Sequence, residues 1–140
     1  MMTIYVETSA ILSWLFGEVE AEHAVQVMDG ADAVVTSTLS ILETRRALVR
    51  AESTGLIGPA DVSRLRGLFE RTSRQWVIFE MTLAVRERAA ERFPVEPVRS
   101  LDAVHLASVI ELLAAYPDMK VLSFDDRIIA NLEPLGLEAA

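Results

Sequence analysis

The chain contains no cysteine. That single absence excludes disulfide frameworks, thiolate metal centres, iron–sulfur clusters and cysteine nucleophiles. Histidine is scarce as well: His23 and His105 are too few for a zinc site built from imidazoles. Only six glycines and five prolines occur among 140 residues, with 51% apolar and 24% charged side chains, which excludes disordered, collagen-like and low-complexity classes. No apolar run approaches the roughly 18 residues of a membrane span. No basic segment followed by an apolar stretch marks a secretion signal at the N-terminus. The expectation is a cytoplasmic protein with no membrane partner and a single domain over residues 1–140. A chain of this length buries roughly 68–70% of its unfolded surface, enough for one core.

Positive charge is also missing, but unevenly. Residues 1–44 carry seven acids and no base, residues 45–99 carry eleven arginines against seven acids, and residues 100–140 carry seven acids against Lys120 and Arg127. The net charge of −8 argues against a nucleic-acid partner, whereas an arginine-rich middle can still meet phosphate locally. Solvated helix faces, with Glu87, Arg88, Glu91 and Arg92 intermixed, explain the same arginines without a ligand.

What is present is an alternation of short apolar strands and helical segments. Thr3–Glu7 is β-branched and aromatic and reads as a buried strand, with Thr8–Ser9 capping a helix over 10–16. A second helix is expected over 18–28, a strand over 33–36, and a long helix over 37–52. Gly58-Pro59 opens a further helix to about Ser73, since proline suits a first turn. Trp76–Phe79 reads as a third strand, Thr82 as the cap of a helix to Arg92, and Ser100 as the cap of a helix over 101–115. Lys120–Ser123 is a fourth strand, a helix follows from about Asp126 to Leu132, and 137–140 suits a short edge strand. Strands spaced by helices imply an α/β fold with a parallel sheet covered on both faces. In such folds ligands bind beyond the carboxyl ends of the strands.

Four acids stand where simple solvation explains them poorly. Glu7 closes the first strand, Asp125 follows the fourth, Asp102 lies in the first turn of a helix, and Glu43 sits among Leu39, Leu42 and Ala47. Gathered carboxylates repel one another, and a hard divalent cation such as Mg²⁺ or Mn²⁺ removes that cost using oxygen ligands. Each acid also has an ordinary reading. Glu7 suits a strand-end charge, Asp102 a helix-dipole partner, Asp125 a cap of the last helix, and Glu43 a partner of Arg46 or Arg50.

The same residues carry a family resemblance. Ile4-Tyr5-Val6-Glu7-Thr8-Ser9-Ala10, Leu42-Glu43-Thr44-Arg45-Arg46-Ala47-Leu48, Leu101-Asp102-Ala103-Val104-His105-Leu106-Ala107 and Val121-Leu122-Ser123-Phe124-Asp125-Asp126-Arg127 occur in order along the chain. Together they resemble the PIN-domain family, and within it the short VapC-type toxins of bacterial toxin–antitoxin pairs. The resemblance implies a three-layer α/β/α sandwich around a mainly parallel sheet of four or five strands. It implies a metal-dependent endoribonuclease in which Glu7, Glu43, Asp102 and Asp125 are catalytic and hold Mg²⁺ or Mn²⁺. Thr8, Ser9 and Ser123 would orient those carboxylates or their waters. Asp126 is a stand-in for Asp125, although the motif places Asp125 first. Hydrolysis in line would leave a 5′-phosphate and a 3′-hydroxyl. Arg45, Arg46 and Arg50 are the leading RNA-phosphate contacts, ahead of Arg86, Arg92 and Arg99. His105 lies one helical turn beyond Asp102, and a packing role is expected for it.

The resemblance further implies a homodimer and a VapB-type antitoxin that inserts a C-terminal segment into the acidic groove. The turn Gly55-Leu56-Ile57-Gly58-Pro59 is a candidate contact surface. One departure stands out: the family's first acid is Asp, and here it is Glu7. The extra methylene adds roughly 1.5 Å of reach, and a misplacement of about 1 Å can cost a hundredfold in rate. Either the strand end has adjusted to Glu, or the activity is attenuated. The alternative reading is thus a PIN-fold module that binds RNA or protein with impaired cleavage. A phosphoacceptor receiver domain fits poorly, because Lys120 precedes its strand and Trp76–Phe79 ends in Glu80.

Overall fold

A computed structural model describes all of residues 1–140. The elements run β1 (Thr3–Val6), α1 (Thr8–Phe16), α2 (Ala21–Asp29), β2 (Ala33–Ser37), α3 (Thr38–Ser53), α4 (Pro59–Ser73) and β3 (Val77–Phe79). They continue α5 (Leu83–Ala89), α6 (Ser100–Leu112), β4 (Lys120–Leu122), α7 (Asp126–Leu132), a 3₁₀ turn (Glu133–Leu135) and β5 (Glu138–Ala139). The five strands form one sheet in the order β3-β2-β1-β4-β5, and every pairing is parallel. Seven helices flank it, as expected of the α/β/α sandwich. No helix is long and apolar enough to cross a membrane.

Alternation along the strands sorts the core into two layers, because successive side chains point to opposite faces. Tyr5, Val35 and Val121 face α6 and α7, where they pack with Leu106, Val109, Ile128 and Leu132. Ile4, Val6 and Leu122 face the other way, onto Ala10, Ile11 and Leu15 of α1, Ala24 of α2 and Phe69 of α4. A smaller cluster of Leu48, Val62 and Leu65 holds α3 against α4, and Ile57 packs on it. The 55–59 turn is therefore partly a packed turn, with Leu56 left exposed.

Several boundaries differ from expectation for identifiable reasons. The cap of α1 is Glu7, whose side chain reaches forward to the Ser9 N–H, and not Thr8–Ser9. Helix α2 begins at Ala21, because Gly17 adopts the left-handed conformation at φ 63° and closes α1 before the chain turns. Helix α5 stops at Ala89, short of Arg92, and the Glu96 carboxylate then takes the Phe93 N–H at 2.8 Å. Helix α6 includes Ser100 as its first residue and is preceded by Arg99, with no side-chain cap. It ends at Leu112, where the Tyr116 N–H turns back onto the Leu112 carbonyl at 2.9 Å.

The site follows from the strand order. From central β1 the chain moves outward through β2 to β3, then returns across β1 to place β4 on its other side. The carboxyl ends of β1 and β4 therefore flank a switch point, the place where open α/β sheets leave a crevice.

Candidate active site

At that crevice the backbone of β1 continues one step further: the Glu7 N–H donates to the Leu122 carbonyl at 3.0 Å. The Glu7 carboxylate then ties the two strand ends together. Its Oε2 accepts from the Ser9 N–H at 3.0 Å, and its Oε1 accepts from the hydroxyls of Ser9 and Ser123, the latter at 2.6 Å. Ser9 Oγ in turn accepts the Phe124 N–H at 2.8 Å, and Ser123 Oγ accepts the Asp125 N–H at 3.1 Å. Glu7 is only 4% exposed, so these donors are what allow a carboxylate to be buried there.

Glu43 approaches from α3. Its Oε1 accepts from Thr8 Oγ1 at 2.7 Å and lies 2.7 Å from His105 Nε2. The other ring nitrogen, Nδ1, lies 3.0 Å from the Tyr5 hydroxyl. Burial pushes the Tyr5 phenol above its ordinary pKa, so it stays protonated and donates. A phenol donating to Nδ1 leaves Nε2 as the N–H that donates to Glu43. Burial also raises the Glu43 carboxyl, but the hydrogen bonds from His105 and Thr8, with the charge of Arg99, outweigh it and hold the group below its ordinary value. The expectation of a packing role for His105 is therefore corrected. The ring is buried, yet it links a core phenol to a carboxylate at the cleft.

The remaining two acids come from the starts of α6 and α7. Asp102 is 5% exposed in the first turn of α6, and Asp125 is the cap of α7, its Oδ1 accepting the Arg127 N–H at 2.9 Å. Between them lies Arg99. Its Nε donates to Asp102 Oδ2 at 2.9 Å and its Nη2 lies 3.6 Å from Asp125 Oδ2. The hydrogen bond and charge of Asp102, joined by Asp125 and Glu43, raise the Arg99 pKa.

Glu7, Glu43, Asp102 and Asp125 thus line one cleft of about 380 Å³, together with Thr8, Ser9, His105 and Arg99. Ser123 stands behind Glu7. Asp126 is exposed and is not among the lining residues. Arg45, Arg46 and Arg50 are exposed on α3 and do not line the cleft; Arg45 forms a two-pronged pair with Glu70 at 3.0 and 3.1 Å. The arginine at the acids is Arg99, which sequence reading ranked lower. Its signal was legible: a base three residues before an acid at a helix start meets it on one face. Tyr5 left no such signal, because a strand aromatic reads as core whether or not its hydroxyl has a partner.

Carboxylates without thiolate are the donor set a hard divalent cation takes, so the chemistry of the cleft fits Mg²⁺ or Mn²⁺. The side-chain positions fit less well, since no three Asp, Glu or His groups are arranged to hold an ion together. Arg99 lies between two of the acids, and Glu7 is turned into its helix cap.

Comparison with known proteins agrees with this architecture. The PIN domain family matches residues 4–132. Ribonuclease VapC35 of Mycobacterium tuberculosis H37Rv is 30% identical over 136 residues, 96% of this chain and 93% of its own. Among solved structures, M. tuberculosis VapC20, described as a sarcin–ricin loop cleaving toxin, superposes with a TM-score of 0.66 at 20% identity, covering 91% of this chain and 93% of that one. VapBC2 from Rickettsia felis, bound to a DNA fragment from its promoter, gives 0.67 at 7% identity over 100% and 98%.

Proposed function

The chain belongs to the PIN-domain family, with VapC ribonucleases as homologues, and on that premise we propose that it is a metal-dependent endoribonuclease of the VapC toxin type. The observation that carries the proposal is the meeting of four carboxylates, from four separate segments, in one cleft at the carboxyl ends of β1 and β4. Glu7, Glu43, Asp102 and Asp125 would hold Mg²⁺ or Mn²⁺. When bound, such an ion lowers the pKa of a water and offsets charge on the phosphate under attack. The protein's own contribution is to aim the carboxylates: Thr8 and His105 hold Glu43 and favour its ionised form, and Ser9 and Ser123 fix the orientation of Glu7. Arg45, Arg46 and Arg50, outside the cleft, are proposed to meet RNA phosphates away from the cleaved bond.

A cytoplasmic setting, a homodimer and a VapB-type antitoxin partner belong to the same proposal. Support for the partner comes from a VapBC2 assembly among the structural neighbours. A second reading is favoured by one observation, the engagement of Glu7 as the α1 cap. On that reading the chain is a PIN-fold module that binds RNA or protein with impaired cleavage.

Incubation of the protein with transfer and ribosomal RNAs in Mn²⁺, Mg²⁺ or EDTA tests the two. The nuclease reading expects products carrying 5′-phosphates in either metal, none in EDTA, and a loss of at least about a hundredfold for Asp102→Asn. RNA binding with no metal-dependent cleavage would establish the module instead.

A further inference from the structure

We propose that Arg99 is an internal cation latch: its guanidinium holds Asp102 and Asp125 together in the metal-free protein and must swing out of the cleft before a divalent cation can use both carboxylates. The inference rests on the reading of the four acids as cation ligands.

Three observations carry it. First, the guanidinium spans acids on different elements, the first turn of α6 and the cap of α7. A group that bridges them therefore neutralises the α6 and α7 side of the cleft. Second, the bridge is unequal. The Nε bond to Asp102 at 2.9 Å is well formed, while Nη2 stands 3.5 Å from the second Asp102 oxygen and 3.6 Å from Asp125. Such long contacts add charge neutralisation without locking the geometry. Third, the Arg99 side chain is 62% exposed, whereas that of Asp102 is only 7% exposed. The acid is fixed in place, and the base is the member of the pair with room to leave. Asp102 takes its side-chain hydrogen bonds from Arg99 and has no neutral donors of the kind that satisfy Glu7, so its position calls for a cation. Arg99 supplies it from within the chain and holds the place a bound ion would take.

The latch predicts competition. In titration calorimetry of the full chain, Arg99→Gln should bind Mn²⁺ about tenfold or more tightly than the unaltered protein, with Arg99→Lys between them. Arg127→Gln removes a charge of the same sign from the neighbourhood without touching Asp102, and should change the affinity by less than about twofold. A second measurement needs no variant. Nitrogen-15 spectra of the arginine side chains should show the Arg99 Nε–H signal moving as Mg²⁺ is added, in step with the calorimetric binding curve. An unmoved signal at saturating Mg²⁺, or equal Mn²⁺ affinities for Arg99→Gln and the unaltered chain, overturns the latch while leaving the metal reading intact. If no form of the protein takes up Mn²⁺, the metal reading falls and the latch falls with it.

Discussion

The two sides of the acidic cleft are built on different principles. On the side of β1 and α3, Glu7 and Glu43 are held by short hydrogen bonds from Ser9, Ser123, Thr8 and His105, and the network continues into the core at Tyr5. On the side of α6 and α7, Asp102 and Asp125 are joined by one largely exposed arginine. A carboxylate surrounded by neutral donors is satisfied permanently and aimed rigidly. A carboxylate paired with a solvent-facing cation is satisfied conditionally, since another cation can take that role. The cleft thus pairs a fixed half with an exchangeable one, and the difference follows from burial: neutral donors function well inside the protein, while a guanidinium stays near water.

The sharpest way to break the comparison is His105→Ala. It empties a buried position and strips both Tyr5 and Glu43 of a partner, so a loss of about 3 kcal/mol is expected in urea denaturation. Arg99→Ala should also destabilise the protein in EDTA, where Asp102 loses its counter-charge, but saturating Mg²⁺ should restore most of that loss and little of the loss from His105→Ala. Equal responses of the two variants to Mg²⁺ would erase the distinction between the fixed and exchangeable halves.

Next in size is the effect of Glu7→Asp. Asp is a preferred helix cap and is one methylene shorter, so it draws the carboxylate back toward the strand end. Mn²⁺- or Mg²⁺-dependent RNA cleavage should rise by between about ten- and a hundredfold. If the Asp form is no more active than this chain, Glu7 does not attenuate it.

The smallest effect is a dependence on pH. Glu43 is held below its ordinary pKa in the fold, so the folded state favours its ionised form. The resulting stabilisation is present above the ordinary carboxyl range and is lost as pH falls through the folded value. Melting temperatures followed downward from neutral pH should therefore decline more steeply for the unaltered chain than for Glu43→Gln. Parallel curves would show that the His105 and Thr8 bonds do not favour the charged form.

Much of this arrangement was legible before the fold was known, and the exceptions are instructive. The α4 and α7 boundaries matched expectation because Pro59 and the Asp125 cap are local signals. The extents of α2 and α5 did not match, since the left-handed cap at Gly17 and the Glu96–Phe93 contact are local devices that apolar periodicity does not record. At the site, strand-end position was enough to single out Glu7 and Asp125. The choice of arginine was readable only in part, since the Arg99–Asp102 spacing is local and the reach to Asp125 is not. Arg45 stands beside Glu43 in the sequence, yet it turns to Glu70 on α4, while Arg99 reaches two acids on two helices.

The order of residues alone therefore set the alternation of strands and helices, the parallel sheet and the identity of four acids at awkward positions. These are consequences of local hydrophobic period and chain punctuation. That Arg99 also answers Asp125, and which of the acids are bound by neutral donors, was decided only by the tertiary fold. The fold joins residues a hundred or more positions apart, such as Tyr5 with His105 and Glu7 with Ser123, through hydrogen bonds that depend on distance in space and not on spacing along the chain.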